Sequence, residues 1–301
     1  MKRYIFALPL LATLASCQNN TCISCEDEPV RPCQVVDETY VHKYGFEVAP
    51  DEWENRGEHG QKITTMDNGI TCKASYSFGK LDGHTTYSFP YSSQVQVVRT
   101  YSQGELVAEE NRFLGGTPKE RTEFQSGNRK KVIHWYESGV PQCSEAYQAD
   151  ALIEGQYYTP ANQVESQVAG GNGVRVNRDA NGDLTSRDMI ENGEMVERTS
   201  YYPNGTPSEM LPFRNNIVHG LRRTFLQGGE PKTVEEWQDG TQTGITVVYQ
   251  NGEKYAEIPY ENGRKHGIEK RYIDGQELFE EITWNDGHDT GQMRTFKVKR
   301  H

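Results

Sequence analysis

The stretch YENGRKHGIEKRYIDG, residues 260–275, decides the fold. An aromatic residue is followed by an Asn-Gly pair, by a second glycine, by another aromatic residue and by an Asp-Gly pair. Asn-Gly and Asp-Gly pairs are the strongest short-range signals for hairpin turns, because glycine adopts positive φ without steric cost. The stretch therefore predicts two short antiparallel strands bounded by tight turns.

The second glycine of this stretch, Gly267, marks a register that extends through most of the chain. The marked position occurs eleven times, at intervals of 23 to 25 residues apart from one interval of 18. Ala108, Lys131 and Glu197 replace the glycine at three of these positions. The glycines taken as repeat glycines are Gly60, Gly83, Gly220, Gly244, Gly267 and Gly291. A fixed period of this length is typical of a repeat protein.

An aromatic residue stands seven residues before eight of the eleven marked positions, although aromatics are only 10% of the chain. These residues are Trp53, Tyr76, Tyr101, Phe124, Phe213, Trp237, Tyr260 and Trp284. We expect this aromatic ladder to act mainly in packing, with rings in contact across neighbouring strands. The alternative is that the rings line a groove and bind a sugar, a peptide or a helix.

A non-aromatic residue occupies the aromatic position in three units, which surround the one short interval: Gln148, Ser166 and Ile190. Residues 149–197 are therefore predicted to be an irregular part of the array, with a mobile loop or bulge at residues 170–173. If the chain has a functional site in addition to a structural scaffold, we expect that site in this segment.

The predicted fold is all-β: an elongated, twisted antiparallel meander of about eleven two-stranded hairpin repeats. The AVILMFWYC residues make up only 34% of the chain. A repeat sheet tolerates this low share because each unit buries one stripe against its neighbours and needs no deep core. The mean hydropathy of −0.82 excludes a protein with several membrane spans.

The repeat units resemble MORN repeats, and more closely the bacterial MORN-variant repeat of the YwqK-type antitoxin family. The resemblance is good over residues 213–296, fair over residues 53–147 and poor between them. It implies a meander of hairpins that forms an elongated, twisted sheet with a groove. It also implies a non-enzymatic binding or scaffolding role, and it supplies no catalytic residue.

The N-terminus has the order of a secretory signal: Lys2 and Arg3, then an apolar run that is too short to span a bilayer. The sequence Leu-Ala-Ser-Cys that ends at Cys17 resembles the lipobox of bacterial lipoproteins. The resemblance implies cleavage before Cys17, acylation of Cys17 (palmitate being one such chain) and, from Gln18, transport to the outer membrane. The expected domains are a signal peptide over 1–16, a lipid-anchored flexible tether over 17–44 and the repeat array over 45–301.

The charge and the cysteines limit the possible partners and chemistry. The net charge of −11 argues against nucleic acid, whose phosphates need a basic face. Cys22 and Cys25 lie in the tether, where a local disulfide is more plausible than a redox or metal site. The odd number of five cysteines after Cys17 leaves at least one thiol without a partner in the chain.

No motif for catalysis, metal or cofactor is present in the sequence. His59, His84, His219 and His266 each adjoin a marked position, so we interpret them as parts of repeat turns rather than as metal ligands. Residues 179–183 resemble the start of a calcium loop but lack its later ligands, so a turn is expected. We therefore expect no enzyme activity, no metal and no cofactor.

These observations favour a bacterial lipoprotein whose repeat body is a non-catalytic binding or scaffold module. Its expected partner is a protein or an envelope polymer, and its expected location is the cell envelope, at the outer membrane. One alternative is an antitoxin or immunity-type protein. Another is an envelope hydrolase, since sequence alone does not exclude a pair of carboxylates at glycosidase spacing.

Overall fold

The structure is a computed structural model, and it describes residues 33–297. The chain divides into two compact units, Met1–Leu106 and Val107–His301. Each unit is described by itself.

The first unit is an antiparallel sheet in which the spatial order of the strands is β2, β1, β3, β4, β5 and β6. Its elements are β1 (Val35–His42), β2 (Glu47–Val48), α1 (Pro50–Asn55), β3 (Gly60–Met66), β4 (Thr71–Ser77), β5 (Lys80–Ser88) and β6 (Val95–Ser102). Strand β1 lies inside residues 17–44, so the prediction of a flexible tether is wrong for residues 35–42. The first four residues of β1 are exposed and show no alternation that would indicate a strand, but β1 pairs with β3 over residues 35–42.

Trp53 lies in the helix α1, where the repeat pattern predicts a strand. The helix has proline in its first turn, followed by Asp51 and Glu52, which favour a helix N-terminus. It buries the Trp53 ring between Tyr40 and Tyr76, at centroid distances of 5.6 Å and 6.2 Å. The predicted contact between ladder rings therefore exists in this unit, but a helix supplies one of its members.

The second unit is an antiparallel meander in which successive strands pair along the chain. The exceptions are two short strands, Ile217–Val218 and Arg264–Lys265, each of which pairs with the preceding strand but not with the following one. Strand β7 (Glu105–Arg112) crosses the division between the units. The following strands are β8 (Pro118–Gln125), β9 (Arg129–Trp135), β10 (Pro141–Gln148), β11 (Ala151–Tyr158), β12 (Val164–Ala169), β13 (Asn172–Arg178), β14 (Leu184–Glu191), β15 (Glu194–Tyr201), β16 (Pro207–Arg214), β17 (Ile217–Val218), β18 (Gly220–Phe225), β19 (Pro231–Gln238), β20 (Thr241–Gln250), β21 (Glu253–Glu261), β22 (Arg264–Lys265), β23 (Gly267–Ile273), β24 (Glu277–Asn285) and β25 (His288–Thr295). The prediction of an all-β meander of antiparallel hairpins is confirmed.

Backbone hydrogen bonds join a tight turn in one repeat to the preceding repeat. The acceptor carbonyl lies in the corresponding tight turn of that repeat or just after it. Gly263 N–H donates to the carbonyl of Gln242 at 2.9 Å, and Gly287 N–H donates to that of Lys265 at 2.8 Å. The same bond links Gly171 N–H to the carbonyl of Ile153, at 2.8 Å. The repeat with the 18-residue interval therefore keeps this hydrogen bond between turns, and its strands are shorter instead.

The repeat glycines lie directly opposite the ladder rings of the following repeat. The cross-strand pairs are Gly60 with Tyr76, Gly83 with Tyr101, Gly220 with Trp237, Gly244 with Tyr260 and Gly267 with Trp284. The rings do not fill the space beside these glycines: an added Cβ at Gly220 or Gly267 meets the side chain of Pro212 or Pro259 and no ring atom within 4 Å. The fixed spacing in the sequence therefore reflects the strand register rather than packing of a ring on a glycine.

Residues 149–197 form paired strands, and a hairpin turn lies at residues 170–173, where a mobile loop or bulge was expected. Gly170 and Gly171 form a tight hairpin turn between β12 and β13, which pair through Val168 and Gly173. Aliphatic side chains take the place of the missing rings opposite the glycines: Val168 faces Gly155, and Ile190 faces Gly173. The main buried cluster is located here and comprises Cys143, Leu152, Tyr157, Val168, Val176 and Ile190.

We predict that Gly173→Ala destabilises the fold by roughly 2–4 kcal/mol. Gly173 has a φ of +146°, and a methyl group there collides with the backbone carbonyl oxygen of Gln167. Gly127 has a φ of +74° and no atom within 4 Å of an added methyl, so Gly127→Ala is the matched control. Its cost is about 1 kcal/mol, from backbone strain alone. Guanidinium unfolding followed by circular dichroism measures both, and equal midpoints for the two variants would contradict this account.

Candidate binding site

A cavity of about 380 Å³ lies between β10 and β13 in the second unit. Two strands separate β10 from β13 in the sheet, yet the Gln142 amide donates to the carbonyl of Arg178 at 2.8 Å. Strand β13 pairs with β12 through only two residue pairs, Val168–Gly173 and Ala169–Asn172, and the rest of β13 turns towards β10. The lining residues are His134, Gln142, Cys143, Glu145, Tyr147, Tyr157, Arg175, Val176, Asn177 and Arg178.

Glu145 forms part of the cavity wall and is itself buried. Its two carboxylate oxygens accept hydrogen bonds from the hydroxyls of Tyr157 and Tyr147, each at 2.7 Å. Burial and the neighbouring Glu145 raise the pKa of both tyrosines, so both hydroxyls keep their protons and act as donors at neutral pH. The carboxylate is thus held in one orientation by two neutral donors.

Asp188 lies behind the cavity wall and is fully buried. Arg198 contacts both of its oxygens, at 2.7 Å and 3.0 Å, and Arg175 and Asn177 each donate to it at 3.0 Å. Burial alone would raise the pKa of this carboxyl, but the hydrogen bonds from Arg198 and the charges of both arginines outweigh it and lower the pKa. Asp188 therefore fixes Arg175 and Asn177 where they face the cavity.

Three further residues line the cavity: Arg178, Cys143 and His134. Arg178 forms a two-point ion pair with Glu165, with both distances at 2.7 Å. Burial raises the pKa of the Cys143 thiol to about 12, so this side chain stays neutral and behaves as a small apolar group. His134 contacts Glu120 at 3.7 Å and is about one-third exposed at the cavity.

The ladder rings of the second unit do not stack on one another, which corrects the expected packing mode. Within the described part of this unit, Phe124, Phe213, Trp237, Tyr260 and Trp284 make no ring–ring contact. Carboxylates contact the two indoles instead. Trp237 Nε1 donates to Glu235 at 3.0 Å, and Trp284 Nε1 donates to Glu269 at 2.9 Å.

Glu269 shows how such a carboxylate is neutralised. It is almost completely buried, and it also accepts hydrogen bonds from Arg271 at 2.8 Å and Lys265 at 3.1 Å. The Lys265 ammonium lies 4.2 Å from the centre of the Trp284 ring, a cation–π contact. At Trp237 and Trp284 the ladder ring therefore contacts a carboxylate that is paired with a cationic side chain.

The remaining predicted residues lie apart from the cavity. His219 and His266 accept hydrogen bonds from the turn amides of Asp239 and Asp286, each at 3.4 Å, in agreement with a role in the repeat turns. Residues 179–183 form a turn in which Asp179 accepts two backbone amides. No group of three or more His, Cys, Asp or Glu within residues 33–297 is arranged to hold a metal. Cys17, Cys22 and Cys25 lie outside the described residues, and Cys33 is disulfide-bonded.

The cavity residues were not singled out by the sequence. Residues 149–197 contain five of the ten lining residues, and the sequence distinguishes this segment only by the lapse of the aromatic pattern. One available signal was the alternation in β14, where Ser186, Asp188 and Ile190 occupy one face. An acidic residue between two inward-facing positions indicates a buried charge, which needs cationic partners on neighbouring strands.

Comparison with known protein families gives a match at the N-terminus of the chain. Residues 1–18 match the family model of the prokaryotic membrane lipoprotein lipid attachment site. The chain is a lipid-anchored protein of the cell envelope. Within residues 33–297, no helix is both long and apolar enough to cross a membrane.

Comparison of the repeat body adds no functional assignment. No curated protein matches the chain significantly. Among solved structures, the chain is similar to Sqt1 of Saccharomyces cerevisiae, with 8% identity over 79% of this chain and 82% of that one, and a TM-score of 0.17. A TM-score this low supports no inference about fold or function.

We predict that Asp188→Asn destabilises the second unit by about 3 kcal/mol at pH 7, because it leaves Arg175 and Arg198 without their counter-charge. The pKa of Asp188 is lowered in the fold, so its contribution is complete above the ordinary value of 3.8 and is lost as the pH falls through the lowered value. The difference between variant and wild type should therefore shrink towards pH 3.

Unfolding midpoints at pH 7 and pH 3 measure this effect. Asp286→Asn is the control, because Asp286 pairs with Arg264 in an exposed ion pair and its loss should leave the midpoint unchanged. A constant difference between wild type and Asp188→Asn at both pH values would contradict the assignment.

Proposed function

We propose that this lipoprotein is a non-catalytic binding module that holds a protein or polymer partner at the membrane surface. The observation that carries the proposal is the cavity between β10 and β13, whose polar side chains are fixed by hydrogen bonds before any ligand arrives. Groups held in place in this way bind without paying an ordering cost.

Two further features support a binding role. The lipid attachment site keeps the body beside a membrane, where a partner in the envelope is within reach. The resemblance of the hairpin units to MORN-variant repeats agrees with a scaffold that displays a site. We assign the anchor to the outer membrane on the basis of Gln18, the residue that follows the acylated cysteine in the lipobox interpretation.

The anchor is tested by Cys17→Ser in the full chain. Acyl chains bind a membrane through about 0.8 kcal/mol for each buried methylene, so their loss should release the protein. We expect wild type in the outer-membrane fraction of a sucrose gradient and the variant in the soluble fraction or retained as uncleaved precursor. Gln18→Asp is the companion variant, and it should move the protein to the inner membrane. Wild-type behaviour of Cys17→Ser would contradict the anchor.

The binding role is tested by crosslinking in intact cells. A photoreactive residue at position 134 lies at the cavity, and one at position 167 lies on an exposed part of β12 away from it. We expect a crosslinked species of defined mass from position 134 and none from position 167. Equal or absent crosslinking at both positions, with the protein correctly located, would contradict the proposal.

A further inference from the structure

Strand β13 has an unpaired backbone edge beside the cavity. On one side it pairs with β14 along residues 173–178, but on the other side it pairs with β12 only through Val168–Gly173 and Ala169–Asn172. Beyond these two pairs the strands separate, and residues 175–178 line the cavity. An unpaired strand edge presents backbone N–H and C=O groups to which another strand can add.

Two side-chain contacts show which backbone groups lie on this edge. The Ser166 hydroxyl donates to the carbonyl of Val174 at 2.6 Å, and the Gln142 amide donates to the carbonyl of Arg178 at 2.8 Å. Both carbonyls therefore face away from β14. Backbone groups of alternate residues point to the same side of an antiparallel strand. Val176, midway between the two, therefore directs its own N–H and C=O towards the cavity that it lines.

The same two contacts set the length of the free edge. Val174 and Arg178 are four residues apart, a span of about 14 Å at roughly 3.4 Å per residue. Their carbonyls are occupied by side chains, whereas Val176 has no partner residue on β12. A residue placed opposite Val176 in an antiparallel strand exchanges both of its backbone hydrogen bonds with it. The edge therefore fits an extended segment of about five residues.

Part of the cavity wall is apolar. Cys143, Tyr157 and Val176 belong to the main buried cluster and also line the cavity. A strand that adds to β13 places alternate side chains on the same face, so some of them reach this part of the wall. Aliphatic and β-branched side chains suit such a position, and they also favour the extended backbone that the edge requires.

The charged side chains that line the cavity on β10 and β13 already have partners. Glu145 accepts hydrogen bonds from two tyrosines, Arg175 is paired with Asp188, and Arg178 is paired with Glu165. A charged side chain of a ligand would lose its water here and gain no counter-charge in return. The wall therefore favours a segment whose side chains are uncharged.

From this geometry we propose that the free edge of β13 binds an extended, uncharged segment of a protein partner, which adds to β13 as an antiparallel strand and fills the cavity. The inference deepens the proposed binding function and rests on it. Main-chain hydrogen bonds at Val176 hold the segment. The apolar wall selects β-branched or aliphatic side chains.

The test is isothermal titration calorimetry with the full-length acylated protein in a detergent that has no sugar headgroup. The probe is the capped pentapeptide acetyl-Thr-Val-Thr-Val-Thr-amide. A second peptide carries N-methyl groups on two adjacent central residues, which blocks both backbone edges and keeps every side chain. A third has aspartate in place of valine. We expect the first peptide to bind, and the other two to bind at least tenfold more weakly. A tetramer of N-acetylglucosamine is the polymer arm and should not bind.

Amide hydrogen exchange locates the bound peptide. With isotope-labelled valine, the exchange of the Val176 amide is followed by nuclear magnetic resonance with and without saturating peptide. We expect a new backbone hydrogen bond to slow this exchange at least tenfold. Val247 is the control, because β20 pairs on both sides of it, and its exchange should not change.

Variants test the edge and the mouth separately. Val176→Pro removes the N–H that faces the cavity, and an edge strand tolerates proline where the N–H has no partner strand. We expect peptide binding to fall at least tenfold. His134→Trp fills the mouth from a partly exposed position and should also abolish binding, which keeps the test valid if Val176→Pro fails to fold. Gln156→Trp, at an exposed position on β11 that does not line the cavity, is the matched control and should bind normally.

Each alternative result is decisive. Equal binding of the N-methylated and unmodified peptides, binding that leaves Val176 exchange unchanged, or binding that survives His134→Trp would overturn the proposal. Binding of the sugar tetramer in place of the peptides would do the same. If no peptide binds while position 134 still yields a crosslinked partner in cells, strand addition fails and the binding module stands. If both assays are negative, the binding function itself fails.

Discussion

The backbone hydrogen bond between successive tight turns sets the spacing of the second unit. It recurs from Ala149 N–H to the carbonyl of Asn128 as far as Gly287 N–H to the carbonyl of Lys265. Each bond requires a turn residue with positive φ and fixes where the next hairpin begins. The strands between the turns change in length to satisfy this constraint, as the bond from Gly171 to Ile153 shows. The cavity lies beside the strands around this short interval. The short β12 that results lets β13 reach back over β10.

The regular part of the fold was predictable because its causes are local. Asn-Gly and Asp-Gly pairs specify tight turns by themselves, and the spacing of Gly267 and Trp284 reflects their pairing in the strand register. Local reasoning was insufficient where the aromatic pattern lapses, because Val168 and Ile190 stand opposite glycines there and the strands still pair. It also missed the helix that contains Trp53.

The cavity could not be predicted, because its contacts join distant positions in the chain. Gln142 and Arg178 are 36 residues apart and on strands that are not neighbours. Their contact accompanies the short pairing of β12 with β13, which no motif in the sequence marks. The sequence does place polar residues such as Asn177 and Asp188 on inward faces, but it does not say which strand supplies the partner for each.

Satisfied hydrogen bonds explain how an acidic chain can bury carboxyl groups within its strands. The net charge is −11, yet Glu145, Asp188 and Glu269 each have hydrogen-bond donors at both oxygens. The donors differ in kind: Asp188 and Glu269 are bonded to cationic side chains, whereas Glu145 is bonded to two tyrosine hydroxyls. Removal of any one donor would leave a desolvated acceptor unsatisfied, so these contacts fix the polar side chains of the interior in one arrangement.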